Sequence, residues 1–321
     1  VSMRSTETTT KLTTIENGNL SPSRMTYSTW MNEESSSLFL VGCDDGSIRI
    51  WGDMLEPNGE PSSKSPTLVS SFYAATMSPG QVGRSGLVGE WQSFNGTLLT
   101  GGNSDFVTCW DMQSEKQFLQ LETSSDACIT AMSTAWDYDA LGRGPNPQGY
   151  RGLGRDVVLA GFSNGSMKIF DLRASQAVTD ITASRPNRSR ITGYSEHKHW
   201  IVNCAFTGYG GRYEFISGTT AGEIKTWDLR MSKSVRTFEA HRSGMTTLAV
   251  HSKVPLVATG TSSQFIKIFS PDGDMMQAFR YHEKMRSHRI GPVSCLAFHR
   301  YKPLLATGAT DTFVGIYSSK P

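Results

Sequence analysis

An all-β fold made of repeated antiparallel units is what this sequence predicts, and three observations predict it. The stretch 218–230, GTTAGEIKTWDLR, joins a small-residue strand end, a glycine-centred turn and a strand closing on Trp-Asp. Five other stretches repeat the pattern: 42–51 (GCDDGSIRIW), 101–110 (GGNSDFVTCW), 161–170 (GFSNGSMKIF), 260–269 (GTSSQFIKIF) and 308–317 (GATDTFVGIY). The closing aromatics Trp51, Trp110, Phe170, Trp227, Phe269 and Tyr317 are spaced by 59, 60, 57, 42 and 48 residues. A bare unit of about 40 to 45 residues with a Trp-Asp ending is the period of propeller blades, each a four-stranded antiparallel sheet. The class is therefore a WD-repeat β-propeller with six recognisable blades, the longer spacings reflecting insertions.

Taken in order, residues 1–10 are polar and aperiodic and read as a disordered lead-in, with residues 11–321 as the propeller. Residues 11–16 (KLTTIE) read as an outer strand pairing outside residues 312–317 of the last blade, which would remove a free sheet edge. Residues 67–73 read as the outer strand of the first blade, inside a Ser-, Pro- and Gly-rich insertion at 56–86. Two more insertions follow, at 137–155 and at 183–197 with Arg185, Arg188 and Arg190. In the fourth unit, residues 200–206 are the innermost strand, 213–218 the second and 223–227 the third. Third strands carry bulk on both faces, as Ile48 and Ile50 against Trp51 or Ile224 against Trp227, because each blade packs between two neighbours.

Composition removes several classes of function. There are 31 basic against 29 acidic residues, a net charge of +2, so nothing provides the basic stripe that nucleic acid requires. No apolar run reaches membrane-spanning length, so no integral membrane segment is expected. Five cysteines, odd in number and without a C-x-x-C pair, suggest neither a disulfide framework nor a zinc ribbon; Cys109, Cys204 and Cys295, inside apolar strand patterns, read as small core residues of a cytoplasmic protein. The Gly-rich stretch 142–154 lacks the Lys-Ser/Thr of a phosphate loop, and His197-x-His199 has no further ligands at metal-binding spacing. No nucleophile signature is present, so no catalytic, cofactor or metal residues are assigned and the chain is not read as an enzyme.

His197 and His241 stand at equal offsets before Ile201 and Met245. WD-type blades use such a histidine in a buried hydrogen-bond chain through a Ser or Thr to an Asp in the tight turn. That turn position holds Asp45, Ser104, Asn164, Ala221, Ser263 and Asp311, so the chain is expected to be eroded in most blades.

The last unit carries more than a generic repeat. Residues 289–318 (RIGPVSCLAFHRYKPLLATGATDTFVGIYS), with Gln264-Phe265, Asp272-Gly273, Tyr281, Asn17-Gly18-Asn19 and the DDGSIRIW of the first unit, resemble the C-terminal region of the Raptor family. Members of that family are scaffold subunits of the rapamycin-sensitive TOR kinase complex, and the likeness runs over nearly all of residues 11–318. It implies a seven-bladed propeller following caspase-like and helical-repeat regions, against six units here: either one blade is lost or the ring closes with six. The function implied is a non-catalytic scaffold that positions substrates and regulators on TOR kinase in nutrient and growth signalling. Its partners would be TOR kinase, its complex subunits and substrates, in the cytoplasm with recruitment to lysosomal or vacuolar membranes through partners. Candidate contact residues are the aromatic and Arg side chains of strand-leading loops, Trp200, Arg242 and Arg289. A competing reading takes Trp227-Asp228-Leu229-Arg230 and Phe170-Asp171-Leu172-Arg173 as the WD-x-R box of a cullin-RING ligase substrate receptor, with Arg173 and Arg230 as contacts. A third is a WD-repeat protein of unrelated assembly.

Overall fold

The computed structural model describes residues 3–5, 23–32, 37–55, 62, 65–74, 86–93, 95–123, 125–134, 157–172, 193–207, 214–242, 244–280, 291–310 and 314–319. Among them are strands and no helix. Strand β1 is Met3–Ser5, and blade one is β2 (Met25–Met31), β3 (Leu38–Cys43), β4 (Ser47–Gly52) and β5 (Thr67–Tyr73). Blade two is β6 (Leu87–Gln92), β7 (Thr97–Gly102), β8 (Phe106–Asp111) and β9 (Lys116–Glu122). Blade three shows β10 (Ile129–Thr134), β11 (Val157–Phe162) and β12 (Met167–Asp171), with Tyr194 bridging Met167 where a fourth strand would end. Blade four is β13 (Ile201–Phe206), β14 (Glu214–Thr219), β15 (Glu223–Asp228) and β16 (Arg236–Glu239). Blade five is β17 (Met245–Val250), β18 (Val257–Thr261), β19 (Phe265–Phe269) and β20 (Met275–Arg280), and blade six is β21 (Val293–Phe298), β22 (Leu304–Ala309) and β23 (Val314–Ser319), flanked by β1. The fold is an all-β WD-repeat propeller of six blades.

The outermost strand of blade six departs from expectation. Within residues 1–10, expected as a disordered lead-in, β1 pairs with β23 in the register Met3↔Ser319, Arg4↔Ser318 and Ser5↔Tyr317. Residues 11–16, expected in that place, lie outside the described residues. The insertion at 137–155 and residues 183–192 of the insertion at 183–197 also lie outside them.

The chain divides near residue 130 into two compact units, one holding blades one and two and the other blades three to six with β1. In the first, Leu40, Ile48, Ile50, Leu87 and Leu98 form the apolar layer between blades. In the second, Leu159, Ile169, Cys204, Phe215 and Trp227 fill the layer between blades three and four. Ile216, Ile224, Met245, Leu248 and Phe269 do so between four and five, and Ala258, Ile266, Val293, Leu305 and Tyr317 between five and six.

A glycine at the end of each second strand sets how closely blades approach. A Cβ on Gly161 would stand 2.6 Å from Ile201, one on Gly218 2.6 Å from Met245, and one on Gly260 2.7 Å from Val293, each a side chain from the next blade's inner strand. These distances leave no room for a methyl group, so only glycine permits the contact. Among the described residues, a Cβ on Gly308 of blade six would meet Cys295 of its own blade and no side chain of another. The same break appears three residues before each closing aromatic. Ile48, Val107, Met167, Ile224 and Ile266 are all 0% exposed, whereas Val314 is 70% exposed, with Ile316 at 43% beside it. Blade six thus carries an apolar face left exposed among the described residues.

Blade four is locked by a polar chain as well as by packing. The Trp227 indole N–H donates to Ser217 Oγ at 2.8 Å, Ser217 Oγ lies 2.7 Å from His197 Nε2, and His197 Nδ1 lies 2.8 Å from Glu223 Oε2. A carboxylate only accepts, so Nδ1 carries the ring proton and Nε2 accepts from the Ser217 hydroxyl. The turn position Ala221 offers no carboxylate, yet the chain is complete because Glu223, two residues on, reaches the same imidazole. The expected erosion therefore does not hold for this blade. Lys225 completes the cluster, its ammonium 3.4 Å from Glu223 and 3.5 Å from Glu196. In blades one and three the turn residues act locally instead: Asp45 accepts from the Ser47 hydroxyl at 2.6 Å and Asn164 from the Ser166 hydroxyl at 2.6 Å.

Burial lowers the pKa of His197, against the opposing pull of Glu223, and of His251. It takes His241 down to about 4, with Lys267 adding to the shift. An unfolded histidine takes up its proton near pH 6.5, the folded rings only at lower pH, so between those values the unfolded state binds more protons. Stability is therefore full above about pH 6.5 and is lost as pH falls toward 4. Melting temperature is expected to drop across that window, and His241→Gln to flatten the slope by about one proton; a variant with the unchanged slope would contradict this.

Candidate partner-binding surface

The loops that lead into inner strands are shaped by the turns of the neighbouring sheet. In the four-blade unit, the Thr220 N–H donates to the Trp200 carbonyl at 2.9 Å, and the Thr220 carbonyl accepts from the Met245 N–H at 3.0 Å. One turn of blade four thereby sets side by side the loop carrying Trp200 and the loop carrying Arg242. Trp200, expected to open the inner strand, stands just before it and is 46% exposed. Arg242 is exposed too. The structure thus brings these two candidate residues onto adjoining loops, while Arg289 and Arg173 lie outside the described residues.

Arg230 is placed differently. Its Nε donates to Asp228 Oδ1 at 2.9 Å, and its backbone N–H donates to the same oxygen at 2.9 Å. Asp228 Oδ2 accepts from the guanidinium as well, and the arginine holds the Asp228 carboxyl below its ordinary pKa. The Asp-x-Arg of the WD-x-R pattern is here the clasp of a turn closed by the Met231 N–H on the Asp228 carbonyl at 2.8 Å.

Beside Arg242 opens a notch of about 570 Å³ in blade five, bordered by the outer strand of blade four. His241 and Lys267 form its floor, Phe265 and Arg242 its sides, and Glu239 lies on its blade-four margin. His241 is 4% exposed, with Nε2 2.7 Å from Thr259 Oγ1; no hydrogen bond to Nδ1 occurs among the described residues. The Lys267 ammonium donates to the Ala240 carbonyl at 2.7 Å and has no ion pair among the described residues. Phe265 is 43% exposed, and the Arg280 guanidinium stands 5.8 Å from its ring centre. The sequence reading missed Phe265 and Lys267. Setting residues 259–269 slot by slot against 217–227 would have exposed both, since Phe265 takes the place of Glu223.

Among the described residues no group of three His, Cys, Asp or Glu side chains could hold a metal ion, and no helix is long and apolar enough to cross a membrane. The family described as Nucleolar protein 10-like, N-terminal domain, matches residues 152–300, and the WD domain, G-beta repeat, matches residues 32–52. Regulatory-associated protein of TOR 2 from Oryza sativa subsp. japonica is 33% identical over 284 residues, 88% of this chain and 18% of that protein. Regulatory-associated protein of TOR 1 from Arabidopsis thaliana is 31% identical over 83% of this chain and 18% of its own length. Protein raptor homolog from Dictyostelium discoideum is 30% identical over 89% of this chain and 17% of its own. The chain is similar to Raptor homologues over most of its length. It spans only 17–18% of the length of these three relatives. The crystal structure of Chaetomium thermophilum Raptor superposes with a TM-score of 0.75 at 23% identity, covering 97% of this chain and 25% of that one, which shows the same fold. The Trp200 and Arg242 loops and the notch all lie within this Raptor-like body.

Proposed function

We propose that the chain is a non-catalytic scaffold segment of a TOR complex, its blades offering separate loop surfaces on which substrates and regulators are positioned for TOR kinase. The observation that carries this reading is the likeness, over 83–89% of the chain, to proteins named for their association with TOR or as raptor homologues. A body of packed sheets supports it physically, because rigid blades present many loops at fixed positions. In this reading Trp200, Arg242 and Arg289 are partner contacts, and the protein works in the cytoplasm in growth and nutrient signalling, reaching lysosomal or vacuolar membranes only through partners. Residues 11–321 would then belong to a propeller that chain outside these 321 residues completes with a further blade on the open face of blade six.

Affinity purification of the full-length protein is expected to bring down a TOR-type kinase. Arg230→Ala is expected to leave that association intact, since its guanidinium is spent on Asp228 in its own turn. Purification with a cullin-RING adaptor that Arg230→Ala abolishes would overturn the scaffold reading in favour of a ligase receptor.

A further inference from the structure

Blades four and five hold the same histidine and the same lysine, but only blade four supplies their acids. In blade four, Glu223 takes the His197 Nδ1 proton at 2.8 Å, and Glu223 and Glu196 both stand within 3.5 Å of the Lys225 ammonium. In blade five the corresponding slots read His241 and Lys267 for the base and the cation, Thr259 for Ser217, but Phe265 for Glu223 and Ala240 for Glu196. Both carboxylates are gone and both of their partners remain. Both replacements, Phe265 and Ala240, line the notch of about 570 Å³. At its floor is an imidazole 4% exposed whose Nδ1 has no partner among the described residues.

An imidazole Nδ1 without a protein partner at the wall of a notch, beside an ammonium with no ion pair among the described residues, is ready for an acceptor. The ring is neutral at physiological pH, its pKa drawn down to about 4 by burial and by Lys267. The Thr259 hydroxyl has the Lys267 carbonyl as one acceptor at 3.3 Å and Nε2 as a closer one at 2.7 Å; donating to Nε2 leaves Nδ1–H to donate outward as it does in His197. Arg242 lines the notch and Arg280 stands beside the Phe265 ring, adding positive charge, against Glu239 as the one anion among the described lining residues. The notch therefore selects an acid, and the Phe265 ring offers apolar surface for the methylenes that carry it.

We propose that this notch is a docking site for an acidic segment of a partner protein, seating an Asp or Glu carboxylate on His241 Nδ1 and Lys267 where blade four seats its own Glu223. The proposal rests on the scaffold reading only in taking a protein segment as ligand.

The test uses the full-length protein and a fluorescein-labelled Gly-Glu-Glu-Glu-Glu-Gly peptide, followed by anisotropy at about 0.15 M salt, where loose surface attraction is screened. Saturable binding is expected, with the Gln-for-Glu peptide binding at least about ten-fold more weakly, the loss expected for a missing charge-assisted hydrogen bond. Lys267→Met is expected to weaken the acidic peptide about ten-fold. Phe265→Glu restores an internal carboxylate at an exposed position and is expected to abolish binding while holding or raising the melting temperature. Equal binding by Phe265→Glu, equal binding of the Gln peptide, binding only of a phosphoserine peptide, or no binding to the folded wild type would each overturn the proposal. Kinase association lost with peptide binding intact would count against the scaffold reading alone, and the reverse against the notch alone.

Discussion

Replacing Trp227 by alanine is expected to destabilise the four-blade unit by about 3–5 kcal/mol, the range for removing a buried aromatic from a packed core. Trp227 is 1% exposed and stacks on Phe215 at 5.8 Å with an interplanar angle of 6°, while Tyr194 covers it at 4.8 Å. Tyr194 is bridged to Met167 at the outer edge of blade three, so the cavity would open between two blades and not within one. The indole N–H also ends the polar chain from Glu223, and its loss takes a donor from Ser217. Trp227→Phe separates the two contributions. It keeps most of the apolar volume and drops the N–H, as blade five does with Phe269, and is expected to cost about 1–2 kcal/mol. Urea denaturation read at constant m value measures both. A Trp227→Ala loss below about 1 kcal/mol would mean that the blades are held by something other than this layer.

The six wedges were legible because their signals are local. A glycine turn and an aromatic closing a short alternating strand depend on a dozen consecutive residues, and β5 at Thr67–Tyr73 fell where its β-branched and aromatic run placed it. What could not be read was set by reach across space. The acid of the blade-four chain was sought at the turn slot, Ala221, but a Glu two positions later has the length to meet the same imidazole. The outer strand of blade six is held by backbone pairing at a sheet edge, which asks little of side-chain pattern, so Met3–Ser5 gave no sign and the more apolar 11–16 drew the expectation. Arg230, a candidate partner contact in one dimension, is also the clasp of a turn in three, a role set by Asp228 reaching back to it. The notch is legible only as a difference between two copies: Phe265 is an ordinary strand residue until it is set against Glu223.

The open face of blade six yields the other large expected effect. In the isolated 321-residue chain, Cys295 is exposed and Val314 is 70% exposed, although residues in the slot of Val314 are fully buried in the five other blades. Apolar side chains at a repeat interface are there to be covered, since each blade buries its face only against the next. A blade supplied by chain outside these residues would cover them, with an apolar side chain over Gly308 as Val293 lies over Gly260. Val314→Asp is accordingly expected to be worth within about 0.5 kcal/mol in the 321-residue chain, as at an exposed site, and to destabilise the full-length protein by several kcal/mol, as at a buried one. Maleimide labelling gives an independent measure. Cys43, Cys109 and Cys204 are buried, with the Cys109 thiol pushed up to about 12, and Cys128 is half-buried, so in a Cys128→Ser background fast modification of the short chain reports on Cys295. In the full-length protein that fast phase is expected to slow by about two orders of magnitude, as local opening then has to precede reaction. Equal labelling rates, together with a harmless Val314→Asp in the longer chain, would show that six blades suffice and that the face serves some other contact.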